Sequence, residues 1–551
     1  MTRAFDPTSE LRVFAARDIV TMDPARPRAT HVAVRGGRIV AVGGEAEMAP
    51  FTGAPRVELP AAAVLLPGFV EGHSHIMEGA MWEAVYVGFY DRRGPDGTLH
   101  RGLRSLEQVL QRLREAQAAL QDPDEPLLAW GFDPILFGTR RLDVGGLDSV
   151  SRTRPVVVLH ASVHLMNVNS AMLELAGIDE DTEIDGIDRD AQGRPTGELQ
   201  EFAAMFPVYR LIGRRLSIAA SENPRAIRAF ADVARLAGVT TATDLVNDLS
   251  ESGNRNLHEL SARDDFPLRI VPAFAPQRDP AGGAQRVLRA IESNTDKLRF
   301  GPVKFIVDGS IQGFTARLRE PGYLGGKPNG LWLVAPGELE AAFTPYHCAG
   351  LQLHVHTNGD EATECVLDAL QRMLERHPRA DHRHTLQHCQ LADEAQLRRA
   401  AALGVCVNFF SNHLYYWGDA HWEQTVGPQW AQRMNPARTA LRLGITVAMH
   451  SDAPITPLAP LFTAWCAMQR ESAGGRVLGE DERIGLDEAL HAITLGAART
   501  LKLEHEIGSI EPGKLADFAV LLQHPHEQPR LRDIEVWGTV LGGRVFRAGG
   551  D

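Results

Sequence analysis

Ala63-Val64-Leu65-Leu66-Pro67-Gly68-Phe69 is a short apolar run that leads into Gly72-His73-Ser74-His75. Side chains of an extended segment alternate with period two, so a His-x-His at a strand end turns both imidazoles to one side, where they can chelate one ion. Taken alone, the pair also reads as two solvated or capping histidines. The rest of the chain weighs between these readings.

Seven further short apolar runs follow: Thr240 to Asp244, Leu268 to Ala273, Val303 to Val307, Leu351 to His356, Thr385 to His388, Gly404 to Phe409 and Ile445 to Met449. Longer amphipathic stretches such as Glu361 to Arg376 lie between most of them, a pattern that predicts parallel strands joined by helices. Eight such units close an α/β (β/α)8 barrel of the TIM type, with all carboxyl ends of the strands opening on one face. Those ends carry matching chemistry: His354-Val355-His356 on the fifth strand, Gln387-His388 on the sixth and His450-Ser451-Asp452 on the eighth. Several imidazoles and a carboxylate suit zinc or a similar borderline cation.

The gap between the first and second strands far exceeds an ordinary loop and holds its own strand-like runs, Trp130-Gly131-Phe132-Asp133 and Pro155-Val156-Val157-Val158-Leu159-His160. Residues 85–230 therefore read as an inserted α/β subdomain. Before residue 63, alternating apolar positions around Gly36-Gly37 signal a hairpin. A similar pattern returns in Asp517 to Leu522, Val536 to Val540 and Gly543 to Phe546. Both termini, residues 1–62 and 505–551, are expected to share one small β-sandwich domain beside a barrel over 63–504.

Composition narrows the function. Hydrophobic residues at 44% and charged residues at 23% belong to a chain that folds throughout. With 57 basic against 70 acidic residues and no basic stripe, nucleic acid is excluded as a partner. Met1-Thr2-Arg3-Ala4-Phe5-Asp6 lacks the apolar stretch of a signal peptide, and no run is long enough to span a membrane, so a cytoplasmic protein without membrane association is expected. Cys348, Cys365, Cys389, Cys406 and Cys466 are odd in number and contain no Cys-x-x-Cys pair, which leaves any metal to other ligands. In Val303-Lys304-Phe305-Ile306-Val307-Asp308 a lysine stands among apolar residues. A bare buried ammonium is costly, so its pKa falls, or it pairs with Asp308 or another acid, or CO2 converts it to an anionic carbamate.

These residues resemble the amidohydrolase superfamily, and the large insertion brings the likeness to its amidohydrolase-3 group, which includes N-substituted formamide deformylases. The matching pieces span nearly the whole chain: Leu66-Pro67-Gly68-Phe69 into Gly72-His73-Ser74-His75, Val303-Lys304 with Asp308-Gly309-Ser310, His356-Thr357-Asn358-Gly359-Asp360, Leu386-Gln387-His388, His450-Ser451-Asp452-Ala453-Pro454 and Ile507-Gly508-Ser509-Ile510-Glu511-Pro512-Gly513-Lys514-Leu515-Ala516-Asp517. The resemblance implies one or two zinc ions, with His73 and His75 on the more buried ion, Lys304 as a bridging carbamate, and His356 with His388 on the second. It also implies that Asp452 binds metal, takes the proton of the attacking water and delivers it to the leaving nitrogen. His356 is preferred to His354 because it directly precedes Thr357-Asn358-Gly359-Asp360, and His354 is assigned to the core. Asn358 and Gln387 depart from the usual family residues at non-ligand positions and bear on substrate preference.

The insertion motifs His164-Leu165-Met166-Asn167-Val168-Asn169-Ser170 and Gly193 to Glu201 also look familial, which makes His164, Asn169 and Glu201 candidate substrate contacts, with Asp308 from the fourth strand. For Asn169 and Ser170 the alternative is a helix cap, and for Glu201 simple exposure. Asn412-His413-Leu414-Tyr415-Tyr416-Trp417 either walls an apolar pocket, with Trp417 on the substrate, or packs as an ordinary loop. Together with Trp82, Phe89 and Tyr90 it favours a small N-alkyl or N-aryl amide. The competing readings are hydrolytic deamination of an amino-heterocycle on a single ion, and a regulatory or binding protein with a degenerate barrel. The intact ligand set speaks against the latter, and the lack of a Gly-x-Ser-x-Gly elbow speaks against serine hydrolysis. A homodimer is the expected assembly.

Overall fold

The structure, a computed structural model, describes residues 11–138, 140–213, 215–216, 220–276, 282–528 and 530–549. The segment Met1 to Asp6, read above for a leader, lies outside the described residues. Eight parallel strands follow one another around a barrel sheet: β1 (Phe69–Glu71), β2 (Val239–Asn247), β3 (Arg269–Phe274), β4 (Pro302–Ile306), β5 (Gln352–Thr357), β6 (Thr385–His388), β7 (Cys406–Phe409) and β8 (Val447–Met449). Nearly every residue in them is buried, as expected of parallel strands covered on both faces. The helices between them begin and end on local signals. Asp393 forms a capping box with Gln396 at the start of Glu394–Leu403, and Gly404, at a left-handed φ of 70°, ends it.

The expected first strand, 63–69, is divided between two sheets. Val64–Pro67 pairs antiparallel with Phe518–Leu521 and parallel with Arg12–Val20, so it belongs to the sheet built from both chain ends. Only Phe69–Glu71 enters the barrel, alongside β2. The chain crosses between sheets at Gly68, where a Cβ would lie 2.0 Å from the Thr240 hydroxyl oxygen. The terminal strands are hydrogen-bonded as one eight-stranded sheet, and Phe14 meets Phe518 edge-on across its core. The hairpin expected at Gly36-Gly37 joins Arg28–Arg35 to Arg38–Gly43, both glycines having positive φ.

Within the long gap, a separate six-stranded sheet runs in the order Ile187–Arg189, Pro195–Gln200, Leu165–Val168, Val156–His160, Leu127–Phe132, Val85–Tyr86. Barrel packing resumes at the helix Pro224–Leu236, which lies so close to Met77–Met81 that a Cβ on Gly79 would meet the Ala226 carbonyl oxygen at 1.9 Å. Among the described residues no helix is long and apolar enough to cross a membrane.

β1 and β8 do not pair along their length. The seam between them is closed just beyond their ends, where Ser74 bridges Ala453, Asp452 N donates to His73 O (3.1 Å) and His75 N donates to Ala453 O (2.9 Å).

Candidate metal centre

His73 and His75 leave β1 with their imidazoles on one side, ring centroids 5.3 Å apart. Both converge on one carboxylate oxygen: Asp452 Oδ1 is 3.2 Å from His73 Nε2 and 3.1 Å from His75 Nε2. His388, at the end of β6, adds Nδ1 at 3.8 Å from Asp452 Oδ2. His388 and Asp452 both hold positive φ, 69° and 53°, a strained conformation for non-glycine residues that aims each side chain inward from a strand end. Lys304, fully buried in β4, brings Nζ to 3.4 Å from His73 Nε2.

Around the centre the structure adds a residue that the sequence reading quoted in its motif but left out of the ligand set. His450 stacks on His73 with centroids 4.5 Å apart, and neither of its ring nitrogens has a hydrogen-bond partner although both are buried. His388 Nδ1 is in the same state. Buried polar nitrogens without partners are costly, and a cation accepting their lone pairs removes the cost. Donor atoms of His73, His388 and His450 lie within 4.8 Å of one another, as do those of His73, His75 and Asp452. The donor set therefore fits a borderline divalent cation.

Electrostatics favour the same use. Burial drives His73 and His388 well below the ordinary histidine pKa and lowers His450 to about 3, which keeps them as the neutral imidazoles a metal requires. Burial also lowers the Lys304 ammonium to about 7. At Asp452 burial works toward protonation, but the His75 hydrogen bond and the positive charge around it outweigh burial and hold the carboxyl below its usual range. Behind the centre, the Glu71 carboxylate accepts from Ser451 N (3.1 Å) and Oγ (2.9 Å), tying β1 to the segment after β8.

The remaining expected residues divide. His356 packs its ring 4.4 Å from His388, but its Nε2 is turned toward Gly309 O (3.3 Å) and Asn358 Nδ2 (3.1 Å), beside the group rather than within it. His164 pairs with Glu201 (Nδ1 to Oε2, 2.9 Å), and the pair lies near enough to Asp452 and Asp308 for their charges, after that of Glu201, to offset burial and raise the imidazole pKa. Asp308 is an internal anchor, accepting from Asn358 N, Gly359 N and Arg317 N. Asn169 is a helix N-cap, accepting from Met172 N and donating to Ser151 O and Arg154 O, so its side chain is fully engaged within the insertion. Trp417 donates to Asp133 Oδ2 (2.8 Å) and joins the barrel loop to the insertion. Tyr90 packs edge-on against Tyr416 at 4.7 Å.

Comparison with known proteins agrees with this geometry. The model of the amidohydrolase family matches residues 62–547. A putative amidohydrolase, YtcJ, of Bacillus subtilis (strain 168) is 28% identical, covering 96% of this chain and 97% of its own. The N-substituted formamide deformylase of Arthrobacter pascens is 27% identical, covering 96% of each. Among solved structures, an uncharacterized metal-dependent hydrolase from Pyrococcus horikoshii OT3 superposes with a TM-score of 0.70 at 22% identity, over 94% of this chain and 98% of that one. With a family match across the barrel and a ligand cluster at the carboxyl ends of its strands, the chain belongs to the amidohydrolase family and is a hydrolase.

Proposed function

We propose that the protein is a metal-dependent hydrolase that cleaves the carbon–nitrogen bond of a small amide, with N-substituted formamides as the leading substrate class. The observation that carries this reading is the single Asp452 oxygen shared by both imidazoles of the His-x-His pair. His73, His75, His388 and Asp452 would hold a zinc-type ion, with His450 as a further donor. Lys304, carboxylated at Nζ by CO2 with release of one proton, would bridge to a second ion beside His356. A divalent cation bound there supplies Lewis-acid polarisation of the substrate carbonyl and acidifies water.

The chain's own groups move the proton. Asp452 Oδ1 faces the two imidazoles, which leaves Oδ2 to take a proton from the attacking water and return it to the departing nitrogen as the carbon–nitrogen bond breaks and a carbon–oxygen bond forms. His164, whose imidazole pKa Glu201 raises against the effect of burial, suits the negative charge that develops on the carbonyl oxygen. Side chains about the centre are nearly closed to solvent, 15% exposed at His75 and 11% at Asp452, which suits a small substrate.

A second reading, deamination of an amino-heterocycle on one ion, is favoured by His356, whose Nε2 is turned to Gly309 O and Asn358 Nδ2 beside the donor group. Metal content per chain, in wild type and Lys304→Ala purified without chelator, together with turnover of N-benzylformamide, separates the readings. Two ions falling to one or none, with formamide turnover in the wild type, is the expected result. One ion unaffected by the substitution moves deamination forward. A wild type that takes up no metal even when zinc is supplied overturns both.

A further inference from the structure

Gln387 stands in β6 directly before His388, its side chain fully buried and touching three others. Its Oε1 lies 2.8 Å from His73 Nδ1 and accepts from Asn408 Nδ2 at 2.9 Å, while its Nε2 lies 2.7 Å from His354 Nδ1. Strand register produces this arrangement, since Gln387 is paired with His356 on β5 and with Asn408 on β7. A residue whose departure from the family pattern pointed to substrate preference thus has its contacts with the metal centre instead.

We infer that Gln387 is a positioning residue that fixes the tautomers of His73 and His354 with the two ends of one amide. The inference rests on the metal reading above. An amide has one accepting and one donating end, so the two imidazoles it bridges are set in opposite senses. With Oε1 toward His73, Nδ1 carries the proton and Nε2 offers its lone pair toward Asp452 and Lys304, as a ligand must. With Nε2 toward His354, Nδ1 of that ring accepts, and its proton sits on Nε2, a buried nitrogen with no partner. His354 is register-paired with Lys304, so that proton is directed into the layer where the lysine lies. An inverted amide would place the proton of His73 on Nε2 and block ligation. His354, assigned to the core from sequence, becomes the far end of a bridge that orients the first ligand.

Glutamate and leucine at position 387 separate the two senses. A carboxylate can still accept from His73 Nδ1 but donates nothing to His354, whereas leucine does neither. Wild type, Gln387→Glu and Gln387→Leu are stripped of metal and titrated with zinc against a competing fluorescent chelator, with circular dichroism and thermal melting as the check on folding. The expected result is zinc affinity about 10- to 100-fold weaker in Gln387→Leu and within a few-fold of wild type in Gln387→Glu. Gln387→Met replaces the leucine variant if that one does not fold. Wild-type affinity in the apolar variant overturns the inference and leaves the metal reading intact. So does a folded Gln387→Glu as weak as Gln387→Leu, because it means the amide faces the other way. A wild type that binds no zinc removes the metal reading and this inference together.

Discussion

Two histidine clusters occupy opposite ends of the same barrel and are wired differently. At the amino-terminal ends of the strands, His347 Nδ1 meets His384 Nε2 (2.8 Å), His347 Nε2 meets His377 O (2.7 Å), and His384 Nδ1 accepts from Leu353 N (3.0 Å). His382 accepts from His384 N at Nδ1 and reaches Leu403 O with Nε2. All six ring nitrogens of these three histidines have a protein partner. At the carboxyl ends, His388 Nδ1 and both nitrogens of His450 have none. Burial lowers the imidazole pKa in both clusters, so burial does not distinguish them. What distinguishes the two clusters is that the carboxyl-end one leaves these three ring nitrogens without a hydrogen-bond partner. A cleft of about 300 Å3 at the amino-terminal end, lined by residues such as Arg299, Gln352, Lys502 and Glu506, contains none of the candidate ligands.

The contrast can be broken by substitution. Asp452→Asn should lower turnover by about 10² to 10⁴, the usual contribution of a positioned general base, while melting like the wild type. Steady-state kinetics beside a melting curve measures both, and a loss of only a few-fold would remove Asp452 from the chemistry. His384→Ala should cost about 3 kcal/mol of stability, from a cavity and the partners it strands, yet leave zinc content unchanged. If its metal content falls, the two clusters are not independent. Glu201→Gln removes the charge that raises the His164 pKa, and kcat/KM should drop about tenfold, corresponding to ~1.4 kcal/mol for a charge-assisted hydrogen bond. An unchanged kcat/KM would return His164 to a structural role. Asn169→Ala should cost about 1 kcal/mol as a lost helix cap and leave KM alone; a raised KM would put the insertion motif back on the substrate.

Much of the barrel was legible because strands buried on both faces carry continuous apolar runs that helices separate. Seven strands lie where those runs predicted them. The first did not, since Val64–Pro67 and Phe69–Glu71 are equally apolar and only pairing partners tell which sheet each joins. The convergence of His73, His75, His388 and Asp452 followed from strand ends sharing one face. His450 could have been added by the same rule, because His450 and Asp452 repeat the two-residue spacing of His73 and His75. Gln387 could not be read as a partner of His73, since that contact depends on register between strands far apart in sequence. Likewise nothing local shows that Trp417 is engaged by Asp133, 284 residues away.

The seam between the first and last barrel strands has a consequence for biosynthesis. His75 and Asp452 are 377 residues apart, yet they face each other across that closure. On a ribosome adding roughly 5–20 residues per second, the early half of the centre waits about 20–75 s for the late half to be made. During that interval the nascent chain carries an imidazole pair without its carboxylate. The complete donor set can form only after the eighth strand has been synthesised, at the end of translation or after it.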